Sequence, residues 1–396
     1  MVSERVRSIN VSPTMKVAGE AKRMRAEGIN VLDFSVGEPD FPTPHNIKEA
    51  AKTAIDENHT KYTLNAGTVE LRKAIAQKLK RDSNLDYELN QIIVNSGAKQ
   101  SVFNSIFATV NKGDEVIIPT PYWVSYPDMV TMADGISVIV ETEEGNGFKL
   151  TAGQLEKAIT EKTKVLILCN PSNPTGSTYS KEELEALAEV CLRHNFLVIS
   201  DEIYEKLTYD DFKFTSFASL SPEIKTRTIV VNGVSKSYSM TGWRIGYAAG
   251  PIDIIEGIGK IQSHSSSHPS SISQQAAVEA LAGPQYAIAE MLSEFIKRRD
   301  YLYSHMTAIK GITCYKPEGA FFLFPNISKF FGTSAGSVTI ENSFDFAMYL
   351  LNDARIAAVP GSAFGAEGYL RISYATSMEN IIEAVERLKK SLDKLK

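Results

Sequence analysis

Short apolar runs alternate with longer helix-period stretches through the middle of this chain. Ile92-Ile93-Val94 reads as a strand, and Gly97 then opens a helix expected to reach about Val110. Glu115-Val116-Ile117-Ile118 is the next strand, stopped by Pro119-Thr120-Pro121. Lys164 to Leu168 is another, followed by a helix from Lys181 to His194. Phe196 to Ile199, Thr228 to Val231 and Ile245 to Ala249 complete the series. Apolar runs of this length between helices read as buried, mostly parallel strands. The pattern predicts an α/β sheet with helices on both faces, and ligands in such sheets bind beyond the carboxyl ends of the strands.

The pattern changes towards the C-terminus. A helical period covers Glu294 to Ile309, and Phe321 to Phe324 is a short apolar run. A Ser/Gly-rich loop at Gly332 to Ser337, a helix near Phe344 to Leu351 and a strand at Tyr369 to Ser373 follow. A closing helix, Met378 to Lys394, carries apolar residues at Ile381, Ile382, Val385 and Leu388. This predicts a smaller α+β domain. No internal repeat is present.

Composition narrows the class. The chain has 396 residues, 43% hydrophobic and 22% charged, which suits a soluble globular protein large enough for two lobes. Its net charge of -5 argues against nucleic acid or an acidic membrane as partner. Cys169, Cys191 and Cys314 are far apart and odd in number, which fits neither a disulfide framework nor a zinc site and suits a reducing compartment. The first residues open no apolar signal run, and no stretch approaches the roughly 18 apolar residues of a membrane span. The expectation is a cytoplasmic protein.

Four segments carry candidate chemistry. In Gly233-Val234-Ser235-Lys236-Ser237-Tyr238-Ser239-Met240-Thr241-Gly242-Trp243-Arg244-Ile245-Gly246, a lysine follows a strand among small and hydroxyl residues. A lysine amine can form a Schiff base with a carbonyl, and a nearby serine and arginine can hold a phosphate. Together they suggest a site for pyridoxal phosphate; the alternative is a solvated loop lysine. Asn95-Ser96-Gly97-Ala98-Lys99 can present backbone N–H groups to an anion at a helix N-terminus, although a plain strand-to-helix turn looks similar. Asn170-Pro171-Ser172-Asn173-Pro174-Thr175-Gly176 follows a buried strand, and its prolines restrict the residues before them, so Asn173 either presents its amide at a fixed place or only shapes a turn. Ser200-Asp201-Glu202-Ile203-Tyr204 ends another strand. Asp201 can hold a protonated pyridine nitrogen or cap a helix, and Tyr204 can meet a phenolic oxygen or fill a core. In Ser263-His264-Ser265-Ser266-Ser267-His268-Pro269-Ser270-Ser271, a flexible polar loop is expected. Pro269 and the serine run argue against a metal-binding helix there, so no metal site is expected.

On these residues the chain resembles the class I, fold-type I pyridoxal-phosphate-dependent aminotransferases. The Gly233 to Gly246 signature, Asn-Pro-x-Asn-Pro-Thr-Gly, Asp-Glu-x-Tyr and Arg371 in Leu370-Arg371-Ile372-Ser373 stand in the family's order across nearly the whole chain. Gly37-Glu38-Pro39-Asp40-Phe41-Pro42-Thr43-Pro44 and Tyr122-Trp123-Val124-Ser125-Tyr126 resemble the bacterial aspartate aminotransferase branch. The resemblance implies a mostly parallel seven-stranded sheet in a large domain, 46–290, a small domain, 291–396, and an N-terminal segment, 1–45, that belongs with the small one. It implies that Lys236 bears the Schiff base and moves a proton, that Asp201 pairs with the pyridinium nitrogen, and that Tyr204 and Asn173 meet the phenolic oxygen. Trp123 would stack on the ring, with Gly97, Ala98, Lys99, Ser235 and Arg244 around the phosphate. Tyr62 would be lent by a second subunit, which implies a homodimer with shared sites. Arg371 would clamp the substrate α-carboxylate, helped by Gly37 and Asn173.

One departure stands out. The better-studied branch clamps the substrate's distal carboxylate with a partner arginine near the Ser/His loop, and Ser263 to Ser273 holds no Arg or Lys. Lys16 is the candidate replacement, against a solvated lysine. The expected reaction is transfer of the amino group of L-aspartate to 2-oxoglutarate. Aromatic amino acids, prephenate, alanine or a lyase reaction on the same scaffold remain alternatives. A regulatory protein with an added DNA-binding domain is disfavoured because the resemblance starts within the first residues. A Rossmann or phosphate-loop enzyme is disfavoured because neither glycine motif is present.

Overall fold

The computed structural model describes residues 2–9 and 13–396, with side chains from Lys16 in the second span. The strands in chain order are β1 (Leu32–Asp33), β2 (Ile92–Asn95), β3 (Glu115–Pro119), β4 (Ile136–Val140), β5 (Thr163–Cys169), β6 (Leu197–Asp201), β7 (Thr228–Gly233) and β8 (Gly246–Ala249). Among the described residues, β2 to β8 form one seven-stranded sheet in the order β2-β8-β7-β6-β5-β3-β4. β8 runs antiparallel to both neighbours and the other pairings are parallel. The expectation of a mostly parallel sheet holds, with β8 as its exception.

The continuous apolar runs arise because both faces are covered. Val165 and Ile167 join Val116, Ile118 and Ile199 against Val102 and Ile106 of helix Ala98–Thr109. The intervening Leu166 and Leu168 meet Leu184 and Leu187 of helix Lys181–Arg193 on the other face. Side chains alternate along a strand, so a run with two buried faces has no polar positions to spare. Helix Lys181–Arg193 starts at a capping box in which Ser180 and Glu183 satisfy each other's backbone N–H groups.

The remaining strands are β9 (Phe322–Leu323), the hairpin β10 (Ser334–Ala335) and β11 (Val338–Thr339), β12 (Ile356–Ala357), β13 (Val359–Pro360) and β14 (Leu370–Ser373). β13-β14-β9 is an antiparallel sheet, and β1 pairs in parallel with β12. Val17, Ala21 and Met24 of helix Pro13–Ala26 share a core with Leu302, Leu370 and Ile381. The N-terminal helix thus packs in one core with C-terminal residues, a core that Tyr204 and Leu207 from beyond β6 also enter.

Some boundaries differ from expectation. The helix expected from Glu294 starts at Tyr286 and crosses position 291 without a break. In the closing helix, Met378–Leu392, Ile381, Val385 and Leu388 are buried while Ile382 lies off that face and is exposed. The Ser/His segment is less of a loop than expected, because helix Ile252–Ser265 continues through its first serines. Ser263 and Ser265 donate back to the carbonyls of Lys260 and Ile261, so these hydroxyls are satisfied inside the helix.

Candidate active site

The carboxyl ends of β5 and β6 come level because Cys169 pairs with Asp201, and β7 passes Asp201 at Val231 and ends at Gly233. A cavity of about 490 Å³ opens at that edge. Lys236 lies just beyond β7 and lines it. Its Nζ donates to the carbonyl of Gly37, which the N-terminal segment brings in. Burial is the main cause that lowers the Lys236 amine to about 8; Arg371 and Arg244 assist, while Glu38 and Asp201 oppose. The chain therefore holds an amine that is uncharged more readily than an ordinary lysine.

Asp201 closes β6 and points into the same cavity. Burial raises its carboxyl to about 6, offset by hydrogen bonds from Tyr126 and the Ile203 N–H and by Lys236. Tyr126 Oη donates to Asp201 Oδ2 at 2.7 Å. Tyr204 stands edge-on to Phe321 and Phe322, with ring centroids at 5.5 and 5.9 Å. Burial pushes its phenol up, so it is a donor rather than an anion.

The end of the cavity at helix Ala98–Thr109 is built for an anion. Gly97 caps the helix at φ +89, and a Cβ there would lie 2.2 Å from Arg244 Nη2. Only glycine lets the guanidinium lie against this turn. Arg244 is itself held by the carbonyls of Thr241 and Ser96, at 2.8 and 3.3 Å. Among the described residues, the N–H groups of Ala98 and Lys99 have no acceptor and Ser235 Oγ has no partner. Free helix N–H groups, a hydroxyl and a guanidinium form a phosphate donor set. With Lys236 for an aldehyde, Asp201 for a ring nitrogen and Trp123 as an aromatic wall, the cavity fits pyridoxal phosphate.

Arg371, from β14, is 7% exposed and has no carboxylate within ion-pair distance among the described residues. Its Nη1 donates to Asn173 Oδ1 at 3.0 Å and its Nη2 to the Ser35 carbonyl at 2.6 Å. Phe322 and Phe364 flank the guanidinium, at 4.5 and 5.1 Å from their ring centroids. Burial lowers it to about 10, and its Nε is unpartnered. A buried cation without a counter-ion is costly, which makes this a site waiting for a carboxylate.

The cavity brings together Gly37, Ala98, Lys99, Trp123, Asn173, Asp201, Tyr204, Ser235, Lys236, Arg244 and Arg371. Gly97 contributes the turn beneath it. Two expected residues lie elsewhere. Lys16 is exposed, with its Nζ 6.0 Å from the Phe344 ring centroid, and does not line the cavity; Ala18 does. Its helix turns that position outward. Tyr62 is 94% exposed and outside the cavity of its own chain. Sequence reasoning missed Tyr126, Cys169 and Ser35 as site residues. Tyr126 lay in a quoted motif, but its contact with Asp201 spans 75 positions and no local pattern announces it. Among the described residues no cluster of His, Cys, Asp and Glu could hold a metal, and no helix is long and apolar enough to cross a membrane.

Comparison with known proteins agrees with this geometry. The model of the family "Aminotransferase class I and II" matches residues 29–388. A probable aspartate/prephenate aminotransferase of Rickettsia conorii is 51% identical over 396 residues, covering 99% of this chain and 98% of the relative. The aspartate aminotransferase of Geobacillus stearothermophilus is 49% identical over 392 residues, covering 99% of both. Among solved structures, the Rhizobium meliloti aspartate aminotransferase superposes with a TM-score of 0.97 at 46% identity over 100% of both chains. The Thermus thermophilus aspartate aminotransferase with maleate gives 0.93 at 39% identity over 99% of both.

Proposed function

We propose that this chain, which belongs to the class I and II aminotransferases, uses pyridoxal phosphate to move the α-amino group of L-aspartate to 2-oxoglutarate, yielding oxaloacetate and L-glutamate. The observation that carries the reading is the unpaired buried guanidinium of Arg371 in one cavity with Lys236 and Asp201. Full-length relatives named for aspartate support the donor.

Each residue has a task. Arg371 and Asn173 fix the substrate α-carboxylate as a fork, which orients Cα towards the lysine. Lys236 Nζ, whose amine burial lowers to about 8, takes and returns the proton at Cα. Gly97, Ala98, Lys99, Ser235 and Arg244 hold the cofactor phosphate, Trp123 covers its ring, and Asp201 and Tyr204 meet its ring nitrogen and phenolic oxygen. Bound pyridoxal phosphate supplies an aldehyde for the amino group and a ring that accepts the electron pair left at Cα.

Lys99 rather than Lys16 fits the second carboxylate. It lines the cavity, lies 4.8 Å from the Trp123 ring centroid and has no carboxylate partner among the described residues. The maleate held by the Thermus relative is a dicarboxylate, which agrees with a cationic second subsite. The second reading keeps aspartate as donor and takes prephenate, a 2-oxo acid, as acceptor of the amino group, favoured by the naming of the Rickettsia relatives. The proposal also includes a homodimer in which Tyr62 serves the partner's site, a cytoplasmic location suited to three free cysteines, and units at 1–45, 46–290 and 291–396.

The test is the visible spectrum of the purified protein. L-aspartate without an acceptor is expected to convert the cofactor band to its aminated form, and 2-oxoglutarate to restore it. A band that aspartate leaves unchanged overturns aspartate as donor. No band after reconstitution overturns the cofactor reading with it.

A further inference from the structure

His268 sits in the Ser/His segment that the function leaves unused. Two backbone partners decide the state of its ring. The N–H of Thr63 points at Nε2 at 3.1 Å, and a backbone N–H can only donate, so Nε2 carries a lone pair. The carbonyl of Pro269 lies 2.7 Å from Nδ1, and a carbonyl can only accept, so Nδ1 carries the proton. The imidazole is therefore neutral and locked in one tautomer. Its ring also stands edge-on to Tyr62, with centroids 5.6 Å apart and planes at 84°.

The segment it holds has few other ties. Gln274 Nε2 donates to Thr63 Oγ1 at 3.1 Å and to the Pro269 carbonyl at 2.9 Å, joining the same two strands of chain. Tyr62 itself projects into solvent. No charged side chain forms an ion pair or hydrogen bond with His268 among the described residues. Lys61 on the held segment and His264 at the end of the preceding helix are the charged or titratable groups nearest in the chain, and neither bonds the ring.

We propose that His268 is a positioning residue: as a neutral, Nδ1-protonated imidazole it latches the Tyr62–Thr63 backbone and faces the Tyr62 ring, presetting that tyrosine for the cofactor phosphate of a second subunit. The inference rests on the proposed role of Tyr62.

The experiment compares Tyr62→Phe, His268→Ala, His268→Gln and the Tyr62→Phe/His268→Ala double variant as full chains. Two quantities are read: the dissociation constant of pyridoxal phosphate, and amide hydrogen exchange of the peptide containing Thr63. Tyr62→Phe and His268→Ala are each expected to weaken cofactor binding about tenfold, the scale of one lost hydrogen bond, with the double variant no weaker than the worse single. His268→Ala alone speeds exchange at Thr63. His268→Gln, whose Oε1 can accept the same N–H, restores both. If Tyr62→Phe binds cofactor like the parent, the reading of Tyr62 fails. If Tyr62→Phe weakens binding while His268→Ala changes neither quantity, or if the two effects add, the latch is overturned.

Discussion

Burial pushes the two titratable groups at the centre of the cavity towards neutrality from opposite sides. Asp201 is raised to about 6 and Lys236 lowered to about 8. For Asp201 the folded chain binds more protons than the unfolded chain between about pH 4 and about pH 6. Stability of the cofactor-free protein therefore falls as pH rises through that window, by ~3 kcal/mol for a two-unit shift. Lys236 acts in the other direction. Between about pH 8 and about pH 10.5 the unfolded chain binds more protons, so stability rises with pH there. Asp201→Asn removes the acidic-side loss while keeping a partner for Tyr126 Oη. The cofactor-free variant is expected to melt a few degrees above the parent at pH 7 and to lose the fall between pH 4 and 6. Its aminotransferase activity is expected to drop at least about a hundredfold, the scale of a lost charged partner in an active site. Melting curves of both cofactor-free proteins across pH 4 to 7 check this; a variant that retains the parent's fall would place the titrating group elsewhere.

At the level of elements, the phosphate end depends on how closely β8 approaches the start of helix Ala98–Thr109. A Cβ on Gly246 would lie 2.2 Å from the Ala98 nitrogen and 2.4 Å from the Gly97 carbonyl carbon. Both are backbone atoms, so the helix start would have to move away from Arg244 and Ser235. Gly246→Ala is expected to weaken pyridoxal phosphate binding about tenfold or more and to lower the melting temperature. Gly242→Ala, where a Cβ meets nothing within 4 Å, is the matched control and is expected to change neither. Equal retention of cofactor by both variants on dialysis would sink the argument. This contact also marks the limit of what the sequence discloses. The strands of the large sheet are legible because two covered faces force unbroken apolar runs, and Lys236, Asp201 and Asn173 are legible because each stands just beyond such a run. The Tyr126–Asp201 and Arg371–Asn173 bonds join positions 75 and 198 apart, so no local pattern contains their geometry. Lys16 shows the same limit: its place beside the cavity-lining Ala18 is visible in the sequence, but the direction of its side chain, towards the Phe344 ring, is not. The helical course of Ser263 to Ser265 was hidden because these residues add no apolar period; the backbone ladder simply continues, and the hydroxyls are satisfied on preceding carbonyls.

For the molecule as a whole, the two cations proposed for a dicarboxylate come from different units. Arg371 stands on β14 and Lys99 on the helix that follows β2, so a substrate holding both spans the proposed division. The N-terminal segment lies between them, with the Ser35 carbonyl on Arg371 and the Gly37 carbonyl on Lys236. A ligand can shift an arrangement of domains only by binding one arrangement better than another. On the proposed division, a dicarboxylate that pairs with both Arg371 and Lys99 favours the arrangement that brings the two cations together, whereas a monocarboxylate satisfies Arg371 without engaging Lys99. Maleate is therefore expected to reduce the radius of gyration of the cofactor-loaded protein and to protect the peptide spanning residues 33–37 from hydrogen exchange. Propionate at saturating concentration is expected to do neither to the same extent. Lys99→Ala should make maleate behave like propionate, while Lys16→Ala should leave the maleate response intact. Small-angle scattering and exchange on the same samples decide the matter: equal responses to the two acids would mean that Arg371 alone draws the units together, and loss of the response in Lys16→Ala would return the second carboxylate to the N-terminal helix.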